Sequence, residues 1–328
     1  MTSSVWDLAD LATPMAIRTA ATLGLADYAG PDGATADRLA AATATSAPAL
    51  RRLLDHLVAV GVFDLDTESG RYRPTEVGAQ MREDAPEGFL PLLDMTQAGG
   101  RAELAFVELL TSVKTNEAGY PRRYGRDFWS DLATDARLRS SFDEQMNWRF
   151  QVQAPQIAKR YAWSRFRTIL DVGGGNGTVL AAILAAHPDV HGQVLDLPPS
   201  AAAATARFAD AGLTERAGAV SGSFFDPLPK GFDTYLLSDI VHDWDDGHAR
   251  TILTRCREAA APAAAVVLIE PIRGAGASTG IDLFMLMCFG GGERTIDELI
   301  TLGTDCGLAL RSHGPVADGR TLLEFGPA

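Results

Sequence analysis

Three side chains able to move or steady a proton lie at predicted strand or helix ends in the second half of the chain: His242, Glu270 and Glu293. Predicted strand 233–239 runs into Ile240-Val241-His242-Asp243-Trp244, and strand 264–270 closes on Glu270-Pro271. Gly290-Gly291-Gly292 carries Glu293 up to a further helix. An imidazole, with an ordinary pKa of about 6.5, takes a proton at neutral pH. A carboxylate beside it fixes the tautomer and stabilises the imidazolium that forms. Such a set suits deprotonation of a weak acid such as a phenol, whose ordinary pKa is about 10.

A second set precedes it. Ile169-Leu170-Asp171-Val172 reads as a buried strand, Gly173-Gly174-Gly175-Asn176-Gly177 as a sharp turn, and Thr178 onward as a helix. Glycines there let a ligand approach the main chain. Farther on, strand residues Val194-Leu195 end in Asp196, whose carboxylate can accept the hydroxyls of a ribose. The dinucleotide fingerprint asks for glycine at 173, 175 and 178. Position 178 is Thr178, and no Lys or Arg lies between Arg167 and Arg207. The turn therefore suits a nucleoside without phosphate, S-adenosylmethionine, better than a nicotinamide dinucleotide. A sulfonium methyl is already activated, so a base and alignment are enough, and no metal is expected. Ser223-Phe224-Phe225 follows the next strand, where Phe224 can lie on an adenine.

The elements that must position these residues alternate from 168 onward. Strands 168–172, 192–195, 217–221, 233–239 and 264–270 are interleaved with helices 178–186, 200–211 and 246–260. This predicts an α/β, Rossmann-like doubly wound parallel sheet. The segments around Leu308-Ala309-Leu310 and Thr321-Leu322-Leu323 predict a closing antiparallel pair. Thr295 and Glu298 have the spacing of a capping box, which leaves Glu293 unassigned to it. Residues 1–90 read as a helical winged-helix-like domain: a helix with Leu50, Leu53, Leu54, Leu57 and Val58 on one face, then a hairpin across Asp66-Thr67-Glu68-Ser69-Gly70. Residues 91–160 read as a helical linker rich in large side chains, among them Phe128, Trp129, Phe142 and Met146, some of which would line an apolar acceptor pocket. Residues 161–328 form the cofactor-binding catalytic domain.

Charge separates the function classes. The 328-residue chain carries a formal net charge of −13, which argues against nucleic acid or an acidic membrane as partner. Within residues 1–90, 7 Arg and no Lys face 13 Asp plus Glu, a net of 7 − 13 = −6. A winged helix so charged predicts a protein-partner surface rather than a DNA-binding regulator. Cys256, Cys288 and Cys306 are odd in number and widely spaced, as in a reducing cytoplasm. No leader or membrane-spanning stretch is read in the sequence.

Taken together, Asp171-Val172-Gly173-Gly174-Gly175-Asn176-Gly177, Asp196-Leu197-Pro198, Gly222-Ser223-Phe224-Phe225, His242-Asp243-Trp244-Asp245-Asp246 and Gly292-Glu293-Arg294-Thr295 resemble the metal-independent O-methyltransferases of the plant caffeate type, in particular their bacterial relatives acting on aromatic natural products. The likeness runs over nearly the whole chain. It implies a homodimer formed through the N-terminal domain, and His242 as base flanked by Glu270 and Glu293. It implies that Asp171, Gly173, Gly175, Asp196, Leu197, Ser223, Phe224 and Ser238 meet S-adenosylmethionine, released as S-adenosylhomocysteine. Phe128, Trp129, Phe142, Met146, Asp243, Met285 and Phe289 would meet a small aromatic acceptor. Plant members carry an acid in place of Ser223 and a lysine in place of Ser238. Some bacterial relatives use the same scaffold to hydroxylate or decarboxylate, which is the alternative to methylation of a phenolic or enolic hydroxyl.

Overall fold

The computed structural model describes residues 4–328. Met1, Thr2 and Ser3 lie outside it, and with them the start of the segment read for a leader. The described residues divide into two compact units, one of residues 4–104 and 131–145, the other of residues 105–130 and 146–328. Residues 91–160, read as one linker, are thus shared between the two.

In the first unit, Thr35 caps the helix Ala36–Ala42 by accepting from the Arg38 amide, and the helix Ala47–Ala59 buries Leu50, Leu54 and Leu57. Their i, i+4, i+7 spacing puts them on one stripe. The hairpin pairs β2 (Phe63–Asp66) with β3 (Arg71–Pro74), and the short β1 (Ala34–Thr35) adds antiparallel to β3. The turn closes by a Gly70 amide donating to the Asp66 carbonyl at 2.8 Å. The helix Val5–Ala9, capped by a Ser4–Asp7 box, leaves Val5, Trp6 and Leu8 exposed.

The second unit is built on β4 (Thr168–Val172), β5 (His191–Asp196), β6 (Ala217–Ser221), β7 (Thr234–Ser238), β8 (Ala265–Glu270), β9 (Leu308–Ala317) and β10 (Arg320–Pro327). Their order is β6-β5-β4-β7-β8-β10-β9. The first five are parallel, while β10 lies antiparallel between β8 and β9. β8 is buried at all six positions, as a parallel strand covered on both faces must be. Alternate residues feed two cores: Leu170, Tyr235 and Leu268 pack with Ile252 and Leu253, and Ile169, Leu236 and Val267 pack with Ile183 and Leu184. From β4 the chain moves outward to β5 and β6, then crosses back to β7. The strand order reverses between β4 and β7, and ligands of open α/β sheets bind at the carboxyl ends beside such a reversal.

β7 ends one residue before the expected 239. Asp239 turns into the left-handed region, φ 53°, while its amide still donates to the Ile269 carbonyl at 2.9 Å. The capping box of Thr295 and Glu298 is present, and Asp245 caps the helix Asp246–Ala259 by accepting from the His248 amide. Among the described residues no helix is long and apolar enough to cross a membrane.

Candidate active site

At the carboxyl end of β4, Asp171 is wholly buried, and neither carboxylate oxygen has a hydrogen-bond partner within the protein. Burial, and secondarily the charge of Asp196, pushes its pKa up to about 7. After it, the Gly173 amide donates to the Leu195 carbonyl at 2.8 Å, fastening the turn to β5. Gly175 takes φ +57°, and a Cβ there would project into open space. Its amide donates to Asp196 Oδ2 at 2.8 Å, and the Leu197 amide donates to Oδ1 at 2.7 Å. Asp196 is therefore held by the backbone, with one lone pair left on each oxygen. Behind the turn, Asn147 Oδ1 accepts from Asn176, Thr178 and Arg207, and Arg207 also donates to the Asn176 carbonyl. Asn147 and Arg207 are absent from the sequence-derived set because they act on the turn from elsewhere in the chain.

His242 sits on a single 3-10 turn after β7, 4% exposed. Its Nδ1 lies 3.2 Å from Glu293 Oε1 and its Nε2 lies 3.5 Å from Asp243 Oδ1. Glu270 Oε1 accepts from the Ile240 and Val241 amides at 3.1 and 2.7 Å, pinning the turn that carries the histidine. The second oxygens of Glu270 and Glu293 are buried and unpartnered. Glu293 is set by its own amide, which donates to Asp282 Oδ1 at 2.8 Å. The Gly292 amide donates to the His242 carbonyl at 2.9 Å. That approach needs glycine next door, since a Cβ on Gly291 would stand 2.2 Å from the His242 carbonyl oxygen.

Burial alone would lower the His242 pKa, but Asp243, Glu270, Glu293 and Asp239 outweigh it and push it up to about 10. Burial raises Glu270 to about 8 against the pull of His242, and raises Asp243 to about 6, partly offset by His242 and Arg149. Asp239, His242 and Glu270 bring ligand atoms within 4.8 Å of one another. Asp239 is nevertheless committed to cations already: Arg320 grips both its oxygens at 2.6 and 3.0 Å, and Arg149 Nη2 lies 2.9 Å from Oδ2. Two guanidiniums on one ligand repel a metal ion, in keeping with a metal-free site.

An aromatic wall adjoins the histidine turn. Trp129 stacks on Phe289 at 5.3 Å and on Trp244 at 6.4 Å, and Phe128 meets the edge of Phe289 at 5.1 Å. Trp244 continues to Phe224 at 5.8 Å, so the wall runs from the histidine turn to the glycine-turn side. Met285 is buried on the helix Thr279–Phe289, and Met146 is half-buried. Phe142 belongs to the first unit. Ser238 Oγ is buried without a partner, Ser223 Oγ accepts from the Phe225 amide, and Leu197 is 46% exposed.

Residues 106–309 match the O-methyltransferase domain, and residues 6–83 match the O-methyltransferase dimerisation domain. The chain belongs to the O-methyltransferase family. This O-methyltransferase is 49% identical over 311 residues to the 2,7-dihydroxy-5-methyl-1-naphthoate 7-O-methyltransferase of Streptomyces carzinostaticus, covering 94% of this chain and 93% of the relative. It is also 41% identical to the aclacinomycin 10-hydroxylase of Streptomyces purpurascens, over 97% of this chain and 87% of the relative. A crystal structure of an O-methyltransferase from neocarzinostatin biosynthesis, in complex with S-adenosyl-L-homocysteine and 1,4-dihydroxy-2-naphthoic acid, superposes with a TM-score of 0.96 at 46% identity and covers 100% of both chains. The O-methyltransferase is an S-adenosylmethionine-dependent enzyme with the fold of the class I methyltransferases. Its dimerisation domain indicates a homodimer. The residues present fit the cofactor: an unpartnered buried carboxylate at Asp171 suits a bound ammonium, and open space at Gly175 leaves room beside Asp196.

Proposed function

We propose that this O-methyltransferase methylates a phenolic or enolic hydroxyl on a fused-ring aromatic secondary metabolite of the antibiotic type, with His242 as general base. The observation that carries the reading is the buried His242–Glu293 pair beside the aromatic wall of Trp129, Trp244 and Phe289. The naphthoate methylated by the Streptomyces carzinostaticus relative is an acceptor of this class. When bound, S-adenosylmethionine supplies a methyl group activated on sulfur. Asp171 holds its ammonium, Asp196 its ribose and Phe224 its adenine, with Gly173, Gly175, Leu197, Ser223 and Ser238 around it. Glu293 receives Nδ1–H and so leaves the Nε2 lone pair to take the acceptor proton. Asp243 then faces the imidazolium. The carboxylates that hold the His242 pKa up also keep the resting ring charged, so positive charge at the same sheet edge is what frees it to act as base.

Phe128, Trp129, Met146, Met285 and Phe289 give the acceptor apolar contact, and flat rings stack on such walls. The exposed Val5, Trp6 and Leu8 supply apolar surface to the dimer. The odd number and wide spacing of Cys256, Cys288 and Cys306 support a cytoplasmic enzyme, and the net charge of −13 supports one with no nucleic-acid or membrane partner. The test is mass spectrometry of the protein with S-adenosylmethionine and a panel of phenols and polycyclic phenols. A product heavier by one methyl, falling by ~10²–10⁴-fold in His242→Ala, is expected. The likeness to the hydroxylase favours one rival, and a product heavier by one oxygen would replace methylation with it.

A further inference from the structure

We propose that Arg149 anchors an acceptor carboxylate, so that the favoured acceptors are aromatic hydroxy acids. The inference rests on the acceptor reading above and narrows it. Arg149 stands three residues beyond Met146 on the helix Ala136–Arg160, and residues at that spacing share a helix face. Its guanidinium reaches the site edge, where Nη2 lies 2.9 Å from Asp239 Oδ2, and its side chain keeps 24% of its exposure. Asp239 does not need it. Arg320, with its Nε and Nη2 at 2.6 and 3.0 Å, already takes both oxygens in the fork geometry that suits a carboxylate.

The two guanidiniums at Asp239 bring one more positive charge than that carboxylate balances. A guanidinium carries five N–H donors, and the Asp239 contact is made through Nη2. The remaining groups around His242 are Asp243, Glu270 and Glu293, an edge that would repel an anionic acceptor. Arg149 also acts electrostatically on Asp243, the residue next to the base. It is therefore placed to hold an anionic substituent while a neighbouring hydroxyl meets His242. The part of Arg149 is specificity, not proton or methyl transfer.

The experiment uses the full-length protein saturated with S-adenosylhomocysteine. Calorimetry compares 1,4-dihydroxy-2-naphthoic acid with its primary carboxamide, which keeps the rings and hydroxyls but drops the charge. Wild-type protein is expected to bind the acid ~10–100-fold more tightly, the worth of a charge-assisted pair. Arg149→Met should erase that preference by weakening the acid and leaving the amide within ~3-fold, and Arg149→Lys should restore part of it. Equal binding of acid and amide by wild type, or equal losses of both in Arg149→Met, would overturn the assignment. If the methionine variant fails to fold, the wild-type preference and its reduction in Arg149→Lys decide. Mass spectrometry of the same compounds with S-adenosylmethionine separates the two readings. Methylation without acid preference sinks the anchor alone, and neither binding nor methylation of either compound sinks the anchor together with the acceptor reading.

Discussion

Replacing Asp171 by asparagine should stabilise the cofactor-free protein at alkaline pH while weakening cofactor binding. In the folded protein the carboxyl is buried without a partner and its pKa stands at about 7 against an ordinary 3.8. That difference of about three units corresponds to ~4 kcal/mol at ~1.36 kcal/mol per unit. A folded-state pKa above the unfolded value means that the native state binds the extra proton. The full stability is present below pH ~4 and is lost as pH rises through ~7. Asparagine has no such dependence, though its own buried amide costs ~1–3 kcal/mol if it too goes unpaired. The stability difference, variant minus wild type, should therefore grow by up to ~4 kcal/mol between pH 4 and pH 8. Urea denaturation of both proteins at the two pH values reads this directly. Calorimetry with S-adenosylmethionine should show affinity falling by ~10-fold or more, because a charge-assisted pair is lost. A stability difference that does not change with pH would refute the burial argument, and unchanged cofactor affinity would refute the assignment of Asp171 to the ammonium.

Asp196→Ala should lower S-adenosylmethionine affinity by ~10–100-fold and loosen Gly175, whose amide it accepts; unchanged calorimetric affinity would remove Asp196 from the ribose. Gly291→Ala must push the loop off the His242 carbonyl and draw Glu293 from Nδ1, so kcat should fall ~10-fold or more while cofactor affinity holds; a loss of cofactor affinity equal to the loss of kcat would contradict it. In the cofactor-free protein the His242 ring should titrate near pH 10, followed by its carbon-bound ring protons in NMR. A raised histidine pKa contributes stability that is complete below ~6.5 and lost as pH rises through ~10; a ring titrating below 7 would show that desolvation outweighs the four carboxylates.

Short-range features of this enzyme can be read from its residues one segment at a time. The T-x-x-E box at Thr295 and Glu298, the cap at Asp245 and the strand–glycine–helix run from Ile169 each complete their hydrogen bonds within a few residues, so order along the chain suffices to find them. The acids and the histidine at strand or loop ends were legible for a related reason: parallel sheets gather ligands at carboxyl ends, and Asp196, His242 and Glu270 stand there in the sequence itself. Asp239 carried the same positional signal, one residue past Ser238, but the strand pattern absorbed it.

Tertiary structure decided the contacts that close over long separations. Glu293 reaches His242 across 51 residues and Arg320 reaches Asp239 across 81, and no local periodicity encodes either pairing. Insertion of β10 between β8 and β9 is what carries Arg320 to the active-site edge. The chain's residue types specify which groups can exchange a proton. Whether those groups share one buried field, strong enough to hold an imidazole pKa near 10 and an unpaired carboxyl near 7, depends on distance and desolvation. Both come into being only when the sheet assembles and excludes water.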